Sequence, residues 1–414
     1  MDTLRKRFAS LAARDGLNTM DALFLGSVYA FFFFLPLRTD ATVAILIMTA
    51  LGIASVRRRR ASLIPLAGWV NASLLAFVVF LAIGLLASAL NPATLSKFPQ
   101  MLLWGCCIFS GVALSCCVPW HRSGYFWALF ASLVASFVVA VLLFGYDAPR
   151  LWHDDRLKLF AIHPSRLALY CAVCLLFLLY KSMVSSGRER LLPLAGSLFA
   201  FFLLFSTNTR GNLLMLPLGF LCLGSVLPVR HMKRLGPALA VCVILGGAVV
   251  CLSDSEPARR LVSAVTNPLA DKTFKTRVPI WEVGWESFKR SPFIGTGPQS
   301  YRQLHDAYVA EHEKDMDARY GFYERNVKQA HNVVLGRLVE TGFLGTTGFL
   351  LFYVGAIVAA WRGSAEQRWL IAPLVFYMAM NMLDDGLYRM NDALILFVAG
   401  TALGAFREGK CVSA

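Results

Sequence analysis

Four places in the sequence set an ionisable side chain at the edge of an apolar stretch, and together they hold the parts of a phosphate-handling acid–base site. Arg210 stands in Ser206-Thr207-Asn208-Thr209-Arg210-Gly211-Asn212, between two apolar runs. Arg277 opens a stretch in which Trp281, Trp285 and Phe288 follow at helical spacing. His331 precedes Asn332 and a long apolar run, and Asp384 with Asp385 closes the run after that. An arginine fork grips phosphate oxygens in pairs, and a neutral histidine accepts a proton near pH 7. A carboxylate can orient either the histidine or an incoming hydroxyl. Each residue alone also has a plainer reading. Arg210 can snorkel to headgroup phosphates, His331 can cap or pack at a helix start, and the aspartates can form a helix-end turn or partner Arg389. As a set at one membrane depth they are costly unless paired or wetted, which makes them a candidate site.

Two other constellations lead elsewhere. The run Glu311-His312-Glu313-Lys314-Asp315-Met316-Asp317 has metal-ligand chemistry, but its charges keep no consistent face and read better as a solvated helix. Cys171-x-x-Cys174 has redox or metal spacing, yet both cysteines fall inside an apolar segment, where two small core residues one turn apart are the simpler reading. No metal and no cofactor is expected, nor a disulfide framework.

The elements that must hold such a site are membrane helices. The chain of 414 residues is 57% hydrophobic and 16% charged, against roughly a quarter charged in soluble domains. Apolar segments fall near 21–37, 39–56, 66–90, 98–118, 123–144, 163–180, 190–206, 212–228, 235–252, 331–360, 369–384 and 391–406. A hydrocarbon core of about 30 Å needs roughly 20 apolar helical residues. The expectation is an all-α integral membrane protein of about 12 transmembrane helices. It divides into spans 1–9 over residues 1–252, a large helical loop over 253–330, and spans 10–12 with a tail over 331–414. Arg5, Lys6 and Arg7 precede the first apolar run without a cleavage pattern, so no removable signal peptide is expected.

The net charge of +15 sits in short basic tufts between apolar segments, which excludes a nucleic-acid reading and fixes a topology instead. With both termini cytoplasmic, the inner connections hold Arg57 to Arg60, Arg122, Lys181, Arg188, Arg190, Arg230, Lys233, Arg234, Arg362 and Arg368. The short outer connections hold only Arg38, Lys97, Arg150, Arg156, Lys158, Arg210 and Arg389. The large loop then lies outside. Its first helix ends at Ser291-Pro292, Gly295-Thr296-Gly297-Pro298 makes a tight turn, and a second helix runs from about Gln299 to Arg319. An amphipathic, aromatic helix there is expected to lie on or cap the bundle.

Arg277 with Trp281, Ser291-Pro292-Phe293-Ile294-Gly295-Thr296-Gly297-Pro298, Ala330-His331-Asn332-Val333-Val334-Leu335 and Glu340-Thr341-Gly342-Phe343-Leu344-Gly345 resemble, in this order, the motifs of the O-antigen ligase and polymerase superfamily. The resemblance covers about residues 160 to 390. It implies a multi-helix bundle with a large periplasmic loop in the bacterial inner membrane. It also implies a glycosyltransferase that moves O-antigen from undecaprenyl diphosphate to the lipid A–core, with membrane lipids as surroundings. By the same resemblance Arg210 and Arg277 contact the donor diphosphate, Arg166 in His163-Pro164-Ser165-Arg166 is a further phosphate contact, and His331 is the catalytic base of an inverting reaction. The family's carboxylate falls on Asp385 or its neighbour Asp384. O-antigen polymerase and protein O-oligosaccharyltransferase are rivals within the superfamily. A lipid-linked glycan transporter is the rival from another class, disfavoured because the charges gather at the outer boundary and no internal repeat is evident.

Overall fold

The computed structural model describes residues 17–36, 41–59, 68–118, 123–146, 148–153, 156–160, 162–227, 272–321, 323, 325, 327–382 and 391–405. These residues form an all-α membrane protein, with a single two-residue hairpin as the exception. In chain order the helices are α1 (Thr19–Phe34), α2 (Thr42–Arg59), α3 (Gly68–Leu90), α4 (Phe98–Cys117), α5 (Tyr125–Phe144), α6 (Pro164–Val184), α7 (Leu191–Ser206) and α8 (Arg210–Val226). After them come α9 (Lys272–Arg290), α10 (Tyr301–Tyr320), α11 (Val333–Arg362), α12 (Ala365–Arg368), α13 (Ile371–Asn381) and α14 (Asn391–Ala405). Between α5 and α6, β1 (Trp152–His153) pairs antiparallel with β2 (Arg156–Leu157). Short 3-10 turns precede α4 and α7.

Six described helical segments are long and apolar enough to cross a membrane: α3, α5, α6 and α11, and α4 and α7 with their leading turns. Shorter apolar helices lie in α1, α8 and α14. The expected span at 235–252 lies outside the described residues. The α6 span is 83% buried, against 33% for α3 and α5, so α6 lies inside the bundle and those two at its periphery. A helix apolar all round belongs in such an interior position, and Cys171 and Cys174 are both fully buried there as core residues.

Small residues bring the remaining helices together. Gly111 of α4 lies against the backbone of Phe397 and Gly400, and Gly404 lies against Val112, so α4 and α14 touch backbone to backbone. That closeness supplies dispersion contact, and the Ser115 hydroxyl adds a hydrogen bond across it to Thr401 O at 2.7 Å. Gly348 of α11 seats against the backbone of Ala76 of α3 in the same way, and Gly355 makes room for the Ser73 side chain.

The bundle has two distinct ends. At one, Asp21 is fully buried between the Ser55 hydroxyl and Arg59, whose Nε donates to its Oδ2 at 2.6 Å. At the other, the large-loop helices α9 and α10 pack on the start of α11 through Ile280, Tyr301, Ala330 and Val339. Asn91 at the end of α3 and Gln100 at the start of α4 bond the loop directly, through Thr296 O at 2.8 Å and Gln299 Nε2 at 2.7 Å. This second end is called the loop end below.

The end of α9 and both ends of α10 fall within two residues of expectation, but α9 starts at Lys272, five residues before Arg277, and the face it turns inward differs from the aromatic one. Pro279, Ile280, Val283, Gly284 and Ser287 are the buried positions, Trp281 and Phe288 flank them, and Trp285 is 49% exposed. Gly284 explains the rotation. A Cβ there would press within 2.9 Å of Leu335, so the closest crossing with α11 is set at a glycine and the bulky rings are displaced to its sides.

Candidate functional site

The loop motif and the start of α11 form one interlocked unit. Gly342 breaks α11 with φ 61° and ψ −168°. The break frees backbone groups that the Ser291–Pro298 turn takes up. Phe343 N donates to Pro292 O at 2.7 Å, Thr296 N to Val339 O at 2.9 Å and Gly297 N to Glu340 O at 2.9 Å. A side chain at Gly342 would collide with Phe293 backbone, and one at Gly295 with Glu340 backbone. Glycine is required twice, once for the left-handed conformation and once for the close approach.

Charge completes the lock. Arg337 and Glu340, one turn apart on α11, are both 0% exposed and paired at 2.9 Å. The second carboxylate oxygen of Glu340 accepts from Gln299 N at 2.9 Å, and the Arg337 guanidinium lies 5.8 Å above the Trp104 ring of α4. A buried ion pair offsets its desolvation only when its remaining hydrogen-bonding capacity is met; here the loop backbone and an aromatic face of α4 contribute. Tyr301 adds a second tie by donating to Ile280 O at 2.5 Å, and burial raises its hydroxyl pKa, which keeps the proton in place.

His331 immediately precedes this unit. It is half-buried and holds φ 50°, a left-handed conformation uncommon outside glycine. Asn332 fixes it from the other side: its Oδ1 caps α11 by accepting from Leu335 N at 3.0 Å, and its Nδ2 donates to Met382 O at 3.2 Å. Arg277, also half-buried, lies one turn before Ile280 and Trp281, which pack on Ala330 and Leu335 to either side of the histidine.

Arg166 and Arg210 begin neighbouring helices. Gly219 of α8 packs on Leu176 of α6; those positions are nine residues beyond Arg210 and ten beyond Arg166, so the two first turns lie at nearly one level. Gly219 also meets Phe376 of α13, and six residues further along that segment Met382 receives Asn332. At 1.5 Å rise per residue, His331 falls within about one turn of the same depth. The structure thus brings the backbones of Arg166, Arg210 and His331 to one layer at the loop end, with Arg277 on the loop helix α9 whose next turn packs beside Ala330 and Leu335. The side chain of Arg210 lies outside the described residues, as do Asp384 and Asp385.

Two fully buried ionisable residues, Arg337 and Asp392, lie outside the set that the sequence points to. Asp392, at the start of α14, is fully buried, and Tyr377 of α13 donates to its Oδ1. It lies within electrostatic reach of Tyr170, which Arg166 also influences from one turn away, and of Tyr353. A carboxylate inside an apolar segment was the signal available, but Asp392 is the second residue of its segment and reads there as an end cap.

The acidic run of α10 behaves as a solvated face. Glu311, Glu313, Asp315 and Asp317 are exposed and pair with Arg290, Arg325 and Arg319.

Comparison with known proteins meets this architecture over its second half. Residues 195–350 match the family model described as O-Antigen ligase, a range that runs from α7 through α9 and the loop lock into α11. The chain is also similar to the exopolysaccharide production protein ExoQ of Rhizobium meliloti (strain 1021). They are 27% identical over 223 residues, which is 50% of this chain and 48% of that protein. The chain therefore spans about half the length of the curated relative it matches. His331, Arg277 and the interlocked glycine motifs all lie inside residues 195–350, the range in which this membrane protein is similar to the O-Antigen ligase family model.

Proposed function

We propose that the chain is a membrane glycosyltransferase that moves O-antigen glycan from undecaprenyl diphosphate to a hydroxyl of the lipid A–core on the periplasmic face. The observation that carries this reading is the single layer at the loop end: arginine-bearing helix starts at Arg166 and Arg210 level with His331, with Arg277 beside it. A sugar diphosphate already contains a good leaving group, so the protein must hold the diphosphate, stabilise its developing charge and accept one proton. Arginines supply the electrostatic part. His331 takes the proton from the acceptor hydroxyl as its oxygen attacks the anomeric carbon. The bond from that carbon to the diphosphate oxygen breaks, the electron pair leaves with the polyprenyl diphosphate, and the anomeric centre inverts. Asp385, or its neighbour Asp384, orients the histidine or the acceptor.

A second reading is polymerisation, in which the donor glycan grows on its own carrier. The relative's description as an exopolysaccharide production protein favours keeping it. The two are separated by mixing detergent-purified protein with undecaprenyl-diphosphate-linked glycan and lipid A–core, beside a His331→Ala control. Transfer to the core by the parent alone supports the ligase. Lengthened carrier-linked glycan with no core product makes the chain a polymerase. Near-normal transfer by the control removes His331 from the mechanism.

A further inference from the structure

The connection between α5 and α6 forms a second charged site, apart from the layer around His331. Phe144, Trp152 and Phe160 wall a cavity of about 340 Å³ whose two charged lining residues, Arg150 and Lys158, are both cations. The site is held in place by its own backbone. Lys158 N donates to Leu151 O at 2.7 Å, closing the β1–β2 hairpin one step beyond the Trp152–Leu157 pair. Leu151, Leu157 and Leu159 are buried in the main core, so the alternation along the hairpin anchors the leucines and turns Arg150 and Lys158 outward. Arg150 lays its guanidinium 5.5 Å from the Phe144 ring centroid. Among the described residues neither cation is in an ion pair with a carboxylate. Phe160 holds φ 52°, a conformation uncommon for a bulky residue that collects at ligand clamps.

The surroundings decide between a dissolved anion and a lipid. Phe144 is the last residue of a membrane-length helix, and the residues just before it, Leu142 and Leu143, are 78% and 65% exposed. Tyr146 and Trp152 pack edge to face beside the opening, the aromatic pairing expected at headgroup depth. An apolar helix face therefore leads directly into a cavity lined with two cations.

We propose that this cavity binds the phosphate of an anionic membrane lipid, with Arg150 and Lys158 on the phosphate and an acyl chain along the exposed end of α5. The site is independent of the glycosyl-transfer reading, and its test measures binding rather than transfer. Full-length protein is purified in detergent, and retention of phosphatidylglycerol, phosphatidylcholine and inorganic phosphate is measured by native mass spectrometry and competition. The parent should retain phosphatidylglycerol over phosphatidylcholine. Arg150→Gln with Lys158→Gln should weaken phosphatidylglycerol roughly thirtyfold, the fold-change that corresponds to about 1 kcal/mol per cation. The charge-preserving Arg150→Lys with Lys158→Arg should retain it, which separates lost charge from lost folding. Equal binding by parent and glutamine variant overturns the site. Equal retention of the two lipids, or full displacement by micromolar inorganic phosphate, overturns the lipid as its occupant.

Discussion

The two ends of the bundle are built on different terms. At the end opposite the loop, Asp21, Ser55 and Arg59 form a compact polar cluster between regular helices, and the turn there at Gly187 takes its positive φ at a glycine. At the loop end, all four described non-glycine residues with positive φ appear: Phe160, Asn208, Gln299 and His331. Each stands at a functional suspect. Asn208 precedes Arg210 by two residues, Gln299 donates its backbone to Glu340, His331 is itself the candidate base, and Phe160 walls the cationic cavity. Strain persists only where the surroundings over-determine it, and it concentrates where geometry matters to chemistry. The comparison teaches that one end holds the bundle together while the other holds residues in place.

The sharpest way to break that comparison is at the Arg337–Glu340 pair. Glu340→Ala leaves a buried guanidinium uncompensated and should cost about 3–5 kcal/mol, read as a lowered thermal midpoint in detergent. Arg337→Met with Glu340→Leu should recover most of it, because neither charge is then stranded. Next comes His331→Ala, expected to lower turnover by about 10² or more with the fold intact. Asp21→Asn, at the opposite end, should lower stability while leaving turnover per folded molecule unchanged. A comparable turnover loss in Asp21→Asn would show that the two ends are not separable. Gly342→Ala should destabilise by about 1–3 kcal/mol, since it forces a left-handed alanine into Phe293; limited proteolysis of the loop would report it. The smallest expected effect is Arg277→Lys, which keeps the charge but loses the fork and should cost about tenfold in turnover. Full activity there would mean that a point charge suffices and that bidentate gripping at Arg277 is not used.

Much of the fold was legible because a bilayer imposes so few solutions. Apolar runs and basic tufts give helices and their alternation, and the described helices follow them closely. The large loop was also readable, since Ser291-Pro292 stops α9 and the next helix begins within two residues of expectation. Less legible was what the loop motif does. Gly295 and Gly297 read locally as turn residues and Gly342 as part of an apolar run, yet their partners lie more than forty positions away along the chain. Trp285 misled because helical spacing reports a shared face but not which face meets the bundle. Asp392 was passed over because a carboxylate near a segment end looks like a cap until its tyrosine partner, fifteen residues earlier, is in view.

The class of solution is written in the residues themselves: an all-α membrane protein, a large loop near its C-terminal third, and a short list of arginines, one histidine and carboxylates fit for phosphate and proton chemistry. Periodicity and charge act locally, and hydrocarbon leaves a backbone few alternatives to the helix. Only the tertiary structure decided that Arg166 and Arg210 start level with His331, that α11 breaks at Gly342 to accept the loop, and that Arg337 and Glu340 lie buried together beneath it. Those outcomes depend on which helix faces touch, and contact between segments distant in sequence is fixed by packing rather than by any local pattern.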